Sequence, residues 1–309
     1  MKRDKARKWT DEELKKMEKE LKKLYKQAEK EIRQKWDEFL KTESKIIKKA
    51  KANLTSAEMA GTDRDIARAR KALERAKYDY TLGNRYYQGM VKDITGKLAD
   101  VNQAALEMIN GRMPAVYAVN YNFSAEAAAK LGISFSLVDQ NTIARMIKDG
   151  DIVLPRRKLN IPKDMRWNTK KLNSAVLQGI LQGEDIKQIA DRITPIIDSN
   201  RASAIRNART MVTGAESRGR MDSYHQLQDR GIVMKKVWSA THDGRARGWH
   251  LYMDGQMKDV DGYFTDGHGN KLLYPGDPSA EPETVYNCRC CLVSEIIGFR
   301  KANGRIEYI

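Results

Sequence analysis

The sequence predicts an α+β protein: a long helical N-terminal arm followed by a mixed C-terminal lobe with a small, turn-rich β-sheet. Three observations carry that prediction. Apolar residues recur at steps of three and four through much of the first 110 residues, which is the spacing of one helix face. Charged residues make up 32% of the chain and aromatics only 7%, a balance that favours helix-rich soluble structure. Beyond Gly231 the pattern changes to a β-branched run and then to a stretch rich in Gly, Asp and Pro.

The first helix is expected to begin near Thr10. Thr10 with Glu13 has the form of a capping box, and Trp9 with Leu14 has the spacing of a hydrophobic staple. Leu14, Met17, Leu21, Leu24, Ala28, Ile32, Trp36 and Phe39 then draw one apolar stripe. Thr55 with Glu58 repeats the capping signal, and Ile66, Ala69, Leu73, Ala76 and Tyr80 form a second stripe, continued by Met90, Ile94, Leu98, Val101 and Leu106. Two such stripes predict an antiparallel helical pair. Pro114, Pro155 and Pro162 are expected to interrupt helix, leaving a short one from about Gln140 to Lys148 closed by Gly150. Asn168 and Thr169 can cap a helix with the face Leu172, Val176, Leu177, Ile180 and Leu181, which Gly183 is placed to end. Ile186, Ile189, Ala190 and Ile193 mark another short helix. The two together suit either a helix-turn-helix or plain packing. Ala202, Ile205, Ala208, Val212, Ala215, Met221 and Leu227 predict a longer helix ending before Gly231. The strand candidates are Ile232 to Trp238, Leu272 to Tyr274, Val285 to Tyr286 and Cys291 to Ile297.

Bulk chemistry narrows the function classes. Lys and Arg number 57 against 41 Asp and Glu, a net +16 over 309 residues, so polyanions and acidic protein faces are the natural partners. The first 60 residues alone hold 19 Lys and Arg against 12 Asp and Glu. Passive contact with DNA fits this better than sequence-specific reading, because no clustered Arg stripe or aromatic platform accompanies the charge. The only cysteines are Cys288, Cys290 and Cys291, no basis for a secreted disulfide framework. No apolar run of about 18 residues and no secretory h-region are present, so the expected site of synthesis and assembly is a cytoplasm, with no membrane partner. No Walker loop, nucleophile elbow or HExxH pair occurs, so no common catalytic string supports an enzyme.

The most informative segment runs from Trp238 to Gln256, and it is followed by Tyr-Pro-Gly-Asp-Pro at 274 to 278 and Tyr-Asn-Cys-Arg-Cys at 286 to 290. Preceded by Ala208-Arg209-Thr210, these pieces run in a fixed order. A strand ending in Trp238 leads to the Asp243, Arg245, Arg247, His250 turn, then Asp254-Gly255, Pro275-Gly276-Asp277 and Asn287-Cys288-Arg289-Cys290. In order and spacing this set resembles the Mu F-like head morphogenesis family of tailed phages, over about Ala204 to Leu292 and more weakly back to about Asn168. Met211 departs from the family, whose members usually carry Glu after Ala-Arg-Thr. Periodicity and its breaks give a helical arm (1–110) and a connector (111–167), which the resemblance does not cover; the resemblance implies a Mu F-like head morphogenesis domain (168–300), leaving a C-terminal tail (301–309).

The resemblance also implies what the chain does. A member of this family is expected to be a structural, non-enzymatic minor capsid protein, present at low copy inside the head near the portal vertex. Its partners would be the portal protein, major capsid or scaffold proteins, and packaged DNA by nonspecific contact. Some members carry Cys at the positions of Arg247 and His250, which hints at a metal. Here the metal candidates are His250, Cys288 and Cys290, with zinc as the candidate cofactor and His242, His268, Cys291 or Asp254 as fourth partners. In the competing reading the cysteines are half-buried strand residues and His250 hydrogen-bonds a turn. Asp243, Arg245, Arg247 and Asp254 suit an ion-paired scaffold, with Arg289 reaching Asp243 or Asp277. Two rival functions stay open: a metal-dependent nucleic-acid-processing enzyme with His250 as base beside Asp243 or Asp254, and a nonspecific DNA-binding protein.

Overall fold

The computed structural model describes residues 4–80, 84–129, 137–182, 184, 186–301 and 303–308. Seven helices come first: α1 Lys5–Ala60, α2 Asp63–Asp79, α3 Arg85–Ala129, α4 Gln140–Asp149, α5 Ile161–Leu181, α6 Ile186–Asp191 and α7 Thr194–Asp229. Then follow β1 Ile232–Ser239, α8 Gly248–Leu251, β2 Met257–Asp259, β3 Phe264–Thr265, β4 Lys271–Leu272, α9 Pro282–Val285, β5 Cys291–Arg300 and β6 Ile306–Tyr308. The chain is α+β, as the sequence predicts. It divides into two compact units, one of Met1–Glu20, Leu106–Arg157 and Ser203–Ile309, the other of Leu21–Ala105 and Lys158–Ala202.

The second unit is helical. Leu21, Ala28, Ile32 and Trp36 of the expected α1 stripe are buried, joined by Tyr25, and Ile94, Leu98 and Val101 of α3 are buried likewise. A polar chain threads this core: Tyr25 donates to Asn102 Oδ1 (2.6 Å), Asn102 to Asn200 Oδ1 (2.7 Å) and Asn200 to Asn168 Oδ1 (2.8 Å). Asn168 is therefore no cap. It lies within α5, whose start is marked instead by Asn160, the acceptor for Lys163 N at 3.0 Å. Leu172 and Val176 are buried as expected, while Leu177 and Leu181 of the same predicted face are exposed. Gly183 lies outside the described residues. The second stripe is only half covered, since no residue of α2 is buried. The capping box before α2 is Thr62 with Asp65, not Thr55 with Glu58; Thr55 lies inside α1 and donates to Lys51 O.

In the first unit two further helix boundaries differ from expectation, each for a local reason. Asp4, not Thr10, opens α1, accepting from Arg7 N at 2.7 Å, while the Thr10 hydroxyl turns back onto Ala6 O. Pro114 does not end α3. A mid-helix proline costs about 3 kcal/mol, but Met113, Val116 and Tyr117 beside it are at most 1% exposed, and burying those side chains offsets the lost bond.

The first unit's sheet is antiparallel in the order β2-β1-β5-β6, with Trp238 opposite Leu292 and a register shift between Val233 and Met234. Burial alternates strictly along β1, with Ile232, Met234, Lys236 and Trp238 inward. These residues pack with Tyr224 and Leu227 of α7 and with Met253, Val260, Phe264, Leu272 and Leu292. Lys236 sits in that apolar layer because its ammonium donates to Leu273 O at 2.7 Å and stands 5.3 Å from the Phe264 ring centre. Val285 and Tyr286 form no strand, because Pro282 opens the short helix α9 there. Of Leu272 to Tyr274 only Leu272 is strand, and β5 runs on to Arg300 to meet β6.

The first unit also holds a cluster of five charges. Glu216 of α7 has no exposed surface and pairs with Arg7. Arg7 also donates to Arg289 O at 2.6 Å. Arg220, one helical turn on, holds both oxygens of Asp4 (2.8 and 3.0 Å), Leu292 O (3.0 Å) and Asn120 Oδ1 (3.1 Å). With Asp11 3.4 Å from Arg7 Nε, two guanidiniums thus face three carboxylates. Burial pushes the Glu216 carboxyl up, and the two guanidiniums pull it back.

Glu216→Gln removes the counter-charge of a buried guanidinium and is expected to destabilise the protein by about 3–5 kcal/mol. Urea unfolding of the full chain measures it, and a loss under about 1 kcal/mol would show that the cluster contributes little to stability. Burial lowers the Lys236 ammonium from 10.5 to about 8. Between those two pH values the folded chain has released a proton that the unfolded chain still holds, so stability rises with pH across the window. Lys236→Met should abolish that rise in thermal unfolding midpoint.

Candidate functional site

Every motif of the informative segment falls in the first unit, and most of its residues meet. Helix α7 is buried on all sides from Thr210 to Ser217, and its two threonines reach neighbouring backbone instead of water. Arg209 donates to Asn287 Oδ1 (3.2 Å), the Thr210 hydroxyl accepts Asn287 N (2.9 Å), and the Thr213 hydroxyl donates to Cys288 O (2.7 Å). These bonds hold Asn287 at φ +59°, a left-handed conformation rare for a residue with a side chain, and so set the direction in which Cys288 leaves. Gly276 makes the other close approach to this helix. A Cβ there would lie 2.7 Å from Gly214 N. Pro275 and Asp277 on either side are buried, and Asp277 closes its own turn by accepting Leu273 N and Ser279 N, both at 2.9 Å.

The charged motif residues form an ion-paired, hydrogen-bonded frame. Arg289 grips the Asp243 carboxylate with both terminal nitrogens, so Asp277 is not its partner. Arg245 adds its backbone N–H to Asp243 at 3.1 Å, and Arg247 donates to Tyr286 O at 2.6 Å. Asp254 accepts Ala240 N at 2.7 Å and His242 at 2.8 Å, while Gly255 at φ +77° turns the chain so that its N–H reaches Trp238 O. His242, Asp254, Arg7 and Cys291 border a cavity of about 350 Å³. The hydrogen bonds from Arg289 pull the Asp243 carboxyl down to about 2.

His250, Cys288 and Cys290 come together apart from these carboxylates. His250 Nδ1 lies 3.5 Å from Cys288 Sγ and 3.6 Å from Cys290 Sγ, and each of the three residues is 2% exposed. Trp238 stands perpendicular to the imidazole at 5.8 Å. The cysteines sit in the extended link before β5, not on a strand, and they are fully rather than half buried. His242 and Asp254 pair with each other, His268 packs on Trp249, and Cys291 starts β5, so no fourth His, Cys, Asp or Glu joins the group among the described residues. Neither Asp243 nor Asp254 hydrogen-bonds His250, whose Nε2 is buried without a partner.

Residues 170–293, the stretch that holds all of these motifs, match the family described as Phage Mu protein F like protein. This segment is similar to the Mu F-like family. Minor head protein GP7 of Bacillus phage SPP1 is 29% identical over 203 residues, covering 63% of this chain and 64% of that protein. NAD(+)–arginine ADP-ribosyltransferase EFV of Enterococcus faecalis is 25% identical over 176 residues, covering 57% of this chain and 36% of that protein. The chain thus spans less than two thirds of the length of either relative. No solved structure matches it.

Four residues central to the first unit are absent from the sequence-derived site: Asp4, Arg7, Glu216 and Arg220. Glu216 and Arg220 do leave a trace, an acid and a base one turn apart inside a run of small and apolar residues, where a solvated pair would be out of place. Arg7 and Asp4 leave none, since their partners are more than 200 positions away.

Asp243 supplies stability that is present above the ordinary carboxylate value of 3.8 and lost as pH falls toward about 2. Asp243→Asn should therefore unfold at lower temperature than wild type at pH 6, with the two converging by pH 2. A constant difference over that range would detach the shift from the Arg289 contact.

Proposed function

We propose that this chain is a structural minor head protein of a tailed phage, built into the virion during head assembly and free of catalytic activity of its own. The observation that carries the reading is the family match over residues 170–293, which holds the ordered motif set, beside the similarity to a relative named as a minor head protein. The geometry supports a scaffold. The conspicuous polar residues of the motifs are engaged in internal contacts, and His250 has no carboxylate partner to make it a general base. The second relative's name describes an ADP-ribosyltransferase, but the shared stretch is a minority of that protein and carries no argument for that chemistry here.

The finer parts of the reading are low copy number, a place inside the capsid near the portal vertex, contact with portal and capsid or scaffold subunits, and passive contact with packaged DNA. Charge supports the last. Residues 40–80 hold eleven Lys and Arg against six Asp and Glu, on a hairpin whose second helix buries nothing. Held at a protein interface inside a DNA-filled shell, such a segment meets polyanion without reading sequence.

Mass spectrometry of purified particles from the producing genome tests the proposal. The chain is expected in heads at a small fraction of the major capsid protein, and deletion of its gene should leave particles that are misassembled or non-infectious. A chain found only in the soluble lysate, with normal particles formed in its absence, would overturn the head-protein reading.

A further inference from the structure

We infer that His250, Cys288 and Cys290 bind a zinc ion that fastens α8 to the link entering β5. Zinc takes thiolate sulfur at about 2.3 Å and imidazole nitrogen at about 2.0–2.1 Å, so two such bonds at a tetrahedral angle separate sulfur from nitrogen by about 3.6 Å. The observed separations are 3.5 and 3.6 Å, and all three donor atoms lie within 4.8 Å of one another. That spacing brackets one ion, and the imidazole presents Nδ1 to both sulfurs. Two thiolates also cancel the charge of a divalent cation, which suits residues that are each 2% exposed. Sulfur and imidazole donors select zinc over magnesium or calcium, which require oxygen.

Chain topology gives the ion something to do. Between β1 and β5 the regular structure consists of two four-residue helices and three strands of two or three residues. The ligands close a loop from His250 to Cys288 across that stretch, and a bond across a long loop removes much of the freedom the unfolded chain would regain. Helix α7 already fixes the Cys288 carbonyl through Thr213, which holds one ligand in place before the ion arrives. The described residues supply three of the four donors that a structural zinc site takes. This staple does not depend on the head-assembly reading and stands or falls separately from it.

The full chain, purified without chelator and without a polyhistidine tag, is the material for the test. Equimolar zinc by elemental analysis is expected, and cobalt exchanged into the protein should give the visible bands of a tetrahedral site together with thiolate charge-transfer absorption. Cys288→Ser and Cys290→Ser should each lose the metal, while Cys291→Ser keeps it. Chelation of wild type should lower the thermal unfolding midpoint, and added zinc should restore it. If a serine variant fails to fold, the wild-type cobalt spectrum decides by the presence or absence of thiolate absorption. Protein that neither holds nor takes up zinc, or cobalt bound without sulfur, would overturn the site.

Discussion

Glu216 is a carboxylate with no access to water, and the first unit is arranged so that its charge is answered. Arg7 reaches it from the first turns of α1, and Arg220 lies a turn away on its own helix. Each guanidinium then extends to the link or strand beyond, Arg7 to the carbonyl of Arg289 and Arg220 to that of Leu292. A buried ion pair of this kind does not exceed a well-packed apolar core in stability, because desolvating the ions costs about what their attraction returns. It instead restricts which arrangements are tolerated. An alternative packing that separated Glu216 from Arg7 would leave a bare charge in the core, so α1, α7 and β5 share one permitted relation.

The turn-rich lobe follows from that relation. Helix α7 presents Thr210 and Thr213 to Asn287 and Cys288, and Gly214 to Gly276. The two irregular segments that carry the densest motifs are therefore anchored to one helix by hydrogen bonds between its threonine hydroxyls and their backbone and by a glycine–glycine approach. Arg289 ties the same link to Asp243 on the loop after β1. A lobe with so little regular structure has few ladder bonds, and a handful of polar anchors substitutes for them.

The motif residues of the matched segment are built into its architecture. Trp238 is wholly buried as the middle of the core, and the Asp243–Arg289 and Asp254–His242 pairs serve turns. The internal pairs make this part of the chain a stable frame. Lys236, an inward lysine held by one carbonyl and one ring, shows how far an amphipathic side chain can be drawn into such a frame when its head finds a partner.

Sequence by itself determined the α+β class, the α1 stripe from Met17 to Trp36, the strands β1 and β5 and the motif set, and left open whether His250 meets the cysteines or bonds a turn. Each of these rests on local periodicity, or on an ordered string of residues that can be read without a partner in view. Only the tertiary structure decided that Pro114 lies within a helix, that Thr10 and Asn168 are not caps, that Val285 is helical, and that Asp4 and Arg7 belong to the core of a segment 200 positions away. The reason is the same in each case. Capping strings and prolines express preferences of about one to three kcal/mol, and burial of a whole helix side or satisfaction of a buried charge outweighs them. Burial and charge pairing of that size depend on which distant segments meet, and no window of the sequence contains both.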